Sequence, residues 1–427
     1  MMTLFDWVIQ TVALLPADVR RPPMGLFEVM LSGRGTANDR AWVFAEALRQ
    51  EQLDGVIIAT KAEPAEDGNS QDLAPWLFAA LTSDGVLLFD MTIGLPVTAD
   101  GKADLLKPTA GDLAVLKDHE RWKDSTVQPI AQAAAFAPRM MILQDQLAAD
   151  DAAVLFEELT GGVSRIRPIV DRILDAGKGF WTRDDISVWP YPEQQVVASS
   201  ALSEQQQQEL ANLLRPFDAP FERPVLDPPS AGELTSVPEE LGAEERQQLA
   251  QNRIIQQFER MNQSSEAMFG KPSRRLLKAR IEQLLGHTDT GVIQQLQQIR
   301  IAGMQEFIRI AIPQQLQESQ GYPPVINIPL PAFIREVNES STGNSLYWTG
   351  LCQLDRGEAG AAITTLRNYR RNYPEGRWRF AAMFVEGMAS LREGRRDAAI
   401  EALKEADSEG NPERRRAQVM LKSLSAE

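Results

Sequence analysis

Apolar residues spaced for one helical face open the chain: Phe5, Val8, Ile9 and Val12 recur at steps of three and four. Trp76 to Leu81 and Val86 to Phe89 predict a hairpin closed at Ser83-Asp84-Gly85. Turns follow at Gly94-Leu95-Pro96 and Asp100-Gly101-Lys102. Residues 110–176 read mostly as helices, with Leu143, Leu147, Val154, Leu155 and Leu159 as one stripe ended by Gly161-Gly162, and Ile166, Ile169, Val170 and Ile173 as the next. Phe180-Trp181 and Trp189-Pro190-Tyr191-Pro192 form an aromatic, proline-bearing edge, and Ser203 with Gln206 has the spacing of a capping box.

The domain organisation follows from where this pattern stops. Pro216, Pro220, Pro224, Pro228, Pro229 and Pro238 make 215–241 a linker between a mainly helical region, 111–214, and a second helical block, 242–320. In that block Leu249, Ile254 and Phe258 are followed by Leu276, Leu277, Ile281, Leu284 and Leu285. Val292, Leu296, Ile299, Gly303, Phe307 and Ile310 continue at helical steps. Arg274, Arg275, Lys278 and Arg280 read as a solvated basic face. A second proline-bearing linker, 321–340, precedes the last module, 341–427.

Composition narrows the function classes. A chain of 427 residues with 43% hydrophobic and 24% charged residues is globular material for several domains. A net charge of −15 argues against general nucleic-acid binding. The single cysteine, Cys352, leaves no intramolecular disulfide and no cysteine-based zinc site, and two histidines, His119 and His287, leave little for metal ligation or proton transfer. No cofactor motif is present. No apolar run is long enough to span a membrane, and the first residues lack a basic region and are interrupted by Asp6. The expectation is a cytoplasmic protein, or an exported one should a signal segment precede Met1.

The stretch Gly35-Thr36-Ala37-Asn38-Asp39-Arg40-Ala41, followed by an apolar helix, resembles the nucleophile motif Gly-Asp-Cys-Lys-Asp-Lys-Ala of bacterial transglutaminase-like domains. Gly35, Asp39, Arg40 and Ala41 match it, which puts Ala37 in the cysteine position. Trp76 matches the tryptophan of a His-Ala-Trp motif, putting Ala74, or Pro75 if the spacing differs by one, in the histidine position. Asp90-Met91-Thr92 matches Asp-Pro-Thr. The resemblance covers residues 3 to about 95. It implies an α+β, papain/transglutaminase-like domain over 1–110 whose thiol and imidazole are gone, with only the carboxylate of Asp90 remaining.

Over 341–427, Gly350, Gly357, Ala362, Ile363 and Leu366 recur 37 residues later as Gly387, Gly394, Ala399, Ile400 and Leu403. This pattern resembles two tetratricopeptide (TPR) units followed by a capping helix, the usual unit being about 34 residues. Carrying the register across, the groove would be lined by Asn344, Tyr347, Leu351 and Leu354, then Ala381, Phe384, Met388 and Leu391. So apolar a concave face needs a cover: the chain's own segment 325–337, or a foreign protein or peptide.

These features imply a non-catalytic interaction or scaffold protein, with a degenerate transglutaminase-like domain and protein-binding repeats. Two alternatives stand beside it. One is an amide hydrolase or acyl transferase with a relocated nucleophile, Thr36 being the nearest hydroxyl. The other is a domain that binds peptide or glycan in the vacated cleft.

Overall fold

The computed structural model describes residues 1–16, 22–51, 53–61, 73–82, 85–96, 130–133, 186–188, 202–219, 241–261, 272–304, 307–311, 323–330 and 332–426, with a few single positions between them. The described residues are mostly helical, with a small sheet region in the N-terminal half. The chain divides into two compact units: Met1–Ala211 together with Arg377–Glu427, and Asn212–Gly376.

The first unit opens with α1 (Met2–Thr11), β1 (Ala13–Leu14), α2 (Leu26–Ser32), β2 (Arg34–Gly35) and α3 (Ala37–Gln50). Then come β3 (Asp54–Lys61), β4 (Leu73–Thr82), β5 (Gly85–Asp90), β6 (Leu95–Pro96), β7 (Ile130–Ala133) and β8 (Ile186–Val188). The last six strands form one sheet in the order β6-β5-β4-β3-β7-β8, antiparallel except for the parallel β7–β8 pair. The β4–β5 hairpin closes at Thr82↔Gly85, as the turn signal predicts. One face of the sheet packs on α3 through the rings of Phe44, Phe78 and Phe89, with Phe5 of α1 completing the cluster at centroid distances of 4.6 to 5.5 Å. Phe5, Val8 and Val12, the stripe read from the sequence, are fully buried. Ile130–Ala133 corrects part of the helical reading of 110–176. Its alanines favour helix locally, and hydrogen bonding to β3 decides otherwise. The stripes at 143–159 and most of 166–173, the aromatic edge at 180–192, the linker from 220 to 240 and His119 lie outside the described residues.

A helix-rich stretch begins with α4 (Glu204–Leu214), where the capping box forms: Ser203 N donates to Gln206 Oε1 at 3.0 Å, and Gln206 N to Ser203 Oγ at 3.3 Å. A 3-10 turn, Arg215–Asp218, follows in the second unit, then α5 (Ala243–Met261), α6 (Arg275–Leu284) and α7 (Thr290–Gly303). Asp289 caps α7, accepting from Val292 N at 3.0 Å. The sequence then departs from its helical reading. Phe307–Ala311 is β9, paired antiparallel with β10 (Val325–Pro329) inside the stretch read as a linker. Phe307-Ile308-Arg309-Ile310 alternates β-favouring residues, and only the chance step from Gly303 to Phe307 extended the helical period. The remaining described elements of this unit are α8 (Ala332–Asp355), also starting inside that linker, and α9 (Ala359–Asn372). Every residue of α8 from Ser341 to Cys352 is buried. It tolerates this because Ser341, Ser345 and Thr349 turn their hydroxyls onto the carbonyls of Asn338, Ser341 and Ser345 at 2.7 to 2.9 Å.

The chain then returns to the first unit with α10 (Arg379–Arg392), α11 (Arg396–Ala406) and α12 (Arg414–Ala426). The period of 37 is visible as two equivalent helical hairpins, α8–α9 and α10–α11. Gly357 and Gly394 take left-handed turns at φ 78° and 72°. A side chain at Gly350 would meet Leu366 at 2.9 Å, and one at Gly387 would meet Leu403 at 2.9 Å. The two hairpins belong to different compact units, divided at Gly376 and Arg377.

Candidate functional site

The start of α3 is built by a capping box. Thr36 N and Thr36 Oγ1 donate to Asp39 Oδ2 at 2.7 and 2.9 Å, and Asp39 N donates to Thr36 Oγ1 at 3.1 Å. Ala37, half-buried, is the first residue of the helix, where a thiol would meet the positive end of the macrodipole. The Thr36 hydroxyl is engaged with a carboxylate, and the imidazole that would activate it has no counterpart among the motif residues. Ala74 lies in β4 opposite Thr60. Asp90 ends β5, and its Oδ1 accepts from Thr92 N at 2.9 Å and Ile93 N at 2.8 Å. The Asp90 carboxylate therefore closes a turn.

One turn further into α3, Arg40 is fully buried. Its Nε donates to Val12 O at 2.6 Å, Nη1 to Met91 O at 3.2 Å, and Nη2 to Ile9 O at 3.5 Å and Glu413 Oε1 at 2.8 Å. Glu413 precedes α12 and also accepts from Leu14 N at 3.5 Å. Arg416 stands 4.0 Å from Glu413 Oε2, with its guanidinium 4.2 Å from the centre of the Phe384 ring. Asp6 of α1 is within Coulombic reach of Arg416 and Arg392. A charge this deep is stable only when paired and hydrogen-bonded. Removing one partner typically costs about 3–5 kcal/mol.

The positions expected to line a repeat groove are covered. Asn344, Tyr347, Leu351, Leu354 and Phe384 are buried; Ala381, Met388 and Leu391 are half-buried. Tyr347 meets Tyr369 of α9 edge-on at 6.2 Å, which turns it toward its own hairpin. On another side of α8, Trp348 stacks on Phe217 at 5.8 Å and carries the Arg280 guanidinium 4.7 Å over its ring. Thr342 and Asn338 abut Gly303 of α7. Segment 325–337 forms β10 and the first turns of α8. In the second hairpin, Phe384 packs with Leu403, Ala406, Ala417 and Met420, with Met388 and Leu391 against this cluster.

Pattern alone misreads one charged residue and passes over another. Arg280 is not part of a solvated basic face: it is buried, bonded to Gln283 Oε1 at 2.8 Å, and burial lowers its pKa to about 10. Glu413 carried no signal of its own, although Arg40 stands out as a charge directly before the apolar run Ala41-Trp42-Val43-Phe44. His287 is exposed, with Nδ1 2.6 Å from Glu282 Oε2. The thiol of Cys352 is buried, and burial with nearby Asp355 pushes its pKa up to about 12. Among the described residues, no group of His, Cys, Asp and Glu is arranged to hold a metal ion, and no helix is long and apolar enough to cross a membrane. No family model, no curated protein and no solved structure matches the chain.

Proposed function

We propose that this is a non-catalytic interaction or scaffold protein, combining a degenerate transglutaminase-like domain with TPR-like helical repeats. The observation that carries this reading is the use made of the start of α3. The nucleophile position is Ala37, the neighbouring hydroxyl is bonded to Asp39, and the remaining carboxylate, Asp90, holds two backbone N–H groups. Every polar group that the family resemblance would assign to chemistry is engaged in local structure. A hydrolase with a relocated nucleophile has less support, since a hydroxyl nucleophile needs an adjacent base. The test is paired. Wild-type protein should release no ammonia or amine from amide and peptide substrates above buffer, while Ala37→Cys should alkylate faster than Cys352 because it sits at a helix start. Wild-type turnover that disappears in Thr36→Val overturns the proposal. Affinity purification from native cells then identifies the partner.

A further inference from the structure

We propose that the Arg40 guanidinium is a carboxylate receptor occupied by the chain's own Glu413, making residues 377–426 a clasp on the N-terminal layer. The proposal is independent of whether the repeats bind a partner. The receptor half is built without the clasp. Three backbone carbonyls, from Ile9, Val12 and Met91, fix the guanidinium, and Nη2 is also directed at Glu413. Carbonyls orient this cation but do not neutralise it, so a wholly buried guanidinium there calls for an anion.

The ligand half is equally prepared. Asn411 Nδ2 donates to Ala406 O at 2.6 Å, and its Oδ1 accepts from Glu413 N at 2.9 Å, so the turn between α11 and α12 presents the carboxylate. Leu14 N adds a donor from the receptor side, and Arg416 flanks the second oxygen. The pair joins residues 373 positions apart, and the second unit, Asn212–Gly376, lies wholly within that interval. The clasp thus joins the two ends of one compact unit without a covalent bond. An exposed turn at Pro374-Glu375 leads into it.

The test uses the full chain with a specific protease site inserted between Pro374 and Glu375, cut after folding. The cut C-terminal segment should stay associated on gel filtration. Glu413→Ala should weaken that association by more than about 100-fold, and Arg40→Ala no less. In the cut Glu413→Ala protein, added acetate should restore association, and chloride at matched ionic strength should not. If uncut Glu413→Ala fails to fold, Glu413→Gln is cut instead. It keeps the shape and removes the charge, and weaker association than wild type supports the receptor. Loss of the segment from cut wild type, retention that ignores position 413, or equal effects of acetate and chloride overturns the proposal.

Discussion

Phe384→Ala distinguishes a filled repeat face from an open one. Phe384 is 3% exposed, enclosed by Leu403, Ala406, Ala417 and Met420. A buried phenylalanine removes on the order of 200 Å² from water, roughly 5 kcal/mol at 25 cal/mol per Å² as an upper estimate. Truncations of this kind cost about 3–5 kcal/mol. The Arg416 guanidinium over the ring adds roughly 0.5–2 kcal/mol, part of which is already counted in the truncation. A loss of about 4 kcal/mol in a unit of this size lowers the melting temperature by on the order of 10 °C. Melting followed by circular dichroism gives the total, and hydrogen exchange across 379–426 locates it. If Phe384→Ala melts with wild type while a co-purifying protein is lost, the face is open to a foreign ligand and the packing argument fails.

Three further outcomes follow from named contacts. The folded-state pKa of Cys352 is raised from 9.0 to about 12, so unfolded chains lose this proton first as pH rises; stability should fall between pH 9 and 10 by up to about 1.4 kcal/mol per unit, and Cys352→Ala should flatten that slope in denaturant titrations. Above pH 10 the lowered pKa of Arg280 acts in the opposite direction, because the folded state then releases a proton that the unfolded state keeps. Gly387→Ala should cost about 1–3 kcal/mol by overpacking against Leu403, read as a lower denaturation midpoint at unchanged slope. Arg416→Lys keeps the charge but loses the planar guanidinium over Phe384, and should destabilise by about 1 kcal/mol; a neutral result would mean that charge alone matters there.

What the sequence disclosed was whatever short-range pattern encodes. Phe5, Val8, Ile9 and Val12 marked α1, Ser83-Asp84-Gly85 marked the hairpin, Ser203 with Gln206 marked the start of α4, and the recurring glycines marked both C-terminal hairpins. Each signal lies within one element or one turn. Where long-range pairing competes with local preference, the pattern misled: β7 is alanine-rich and β9 continues a helical spacing, yet both are strands because a partner strand satisfies their backbone. At the candidate site, the absence of a thiol at Ala37 and of an imidazole at Ala74 is legible directly. The engagement of Thr36 with Asp39 and of Asp90 with its own turn requires coordinates, since hydrogen-bond direction is not a property of composition.

The repeated hairpin also explains why period alone could not tell how the C-terminal module is used. Sequence repetition reproduces what each hairpin does to itself: Gly350 against Leu366, Gly387 against Leu403, and the same left-handed turn glycine. It specifies nothing about which segment from outside the hairpin packs beside the first helix, and there the two copies diverge. In one, Arg280 of α6 lies over Trp348; in the other, Arg416 of α12 lies over Phe384. A shift of 37 residues carries Tyr347 to Phe384 and Trp348 to Val385, so neighbouring positions of the repeat supply the aromatic socket each time. The arginine comes from before the repeat in one case and after it in the other. An aromatic platform accepts a guanidinium from any direction that keeps the planes close, so one socket can be closed by unrelated segments. That freedom lets one hairpin be built into the unit 212–376 while its copy joins the unit that contains residue 1. In the second hairpin the choice is fixed by Glu413, which the buried Arg40 meets at 2.8 Å and Arg416 flanks at 4.0 Å.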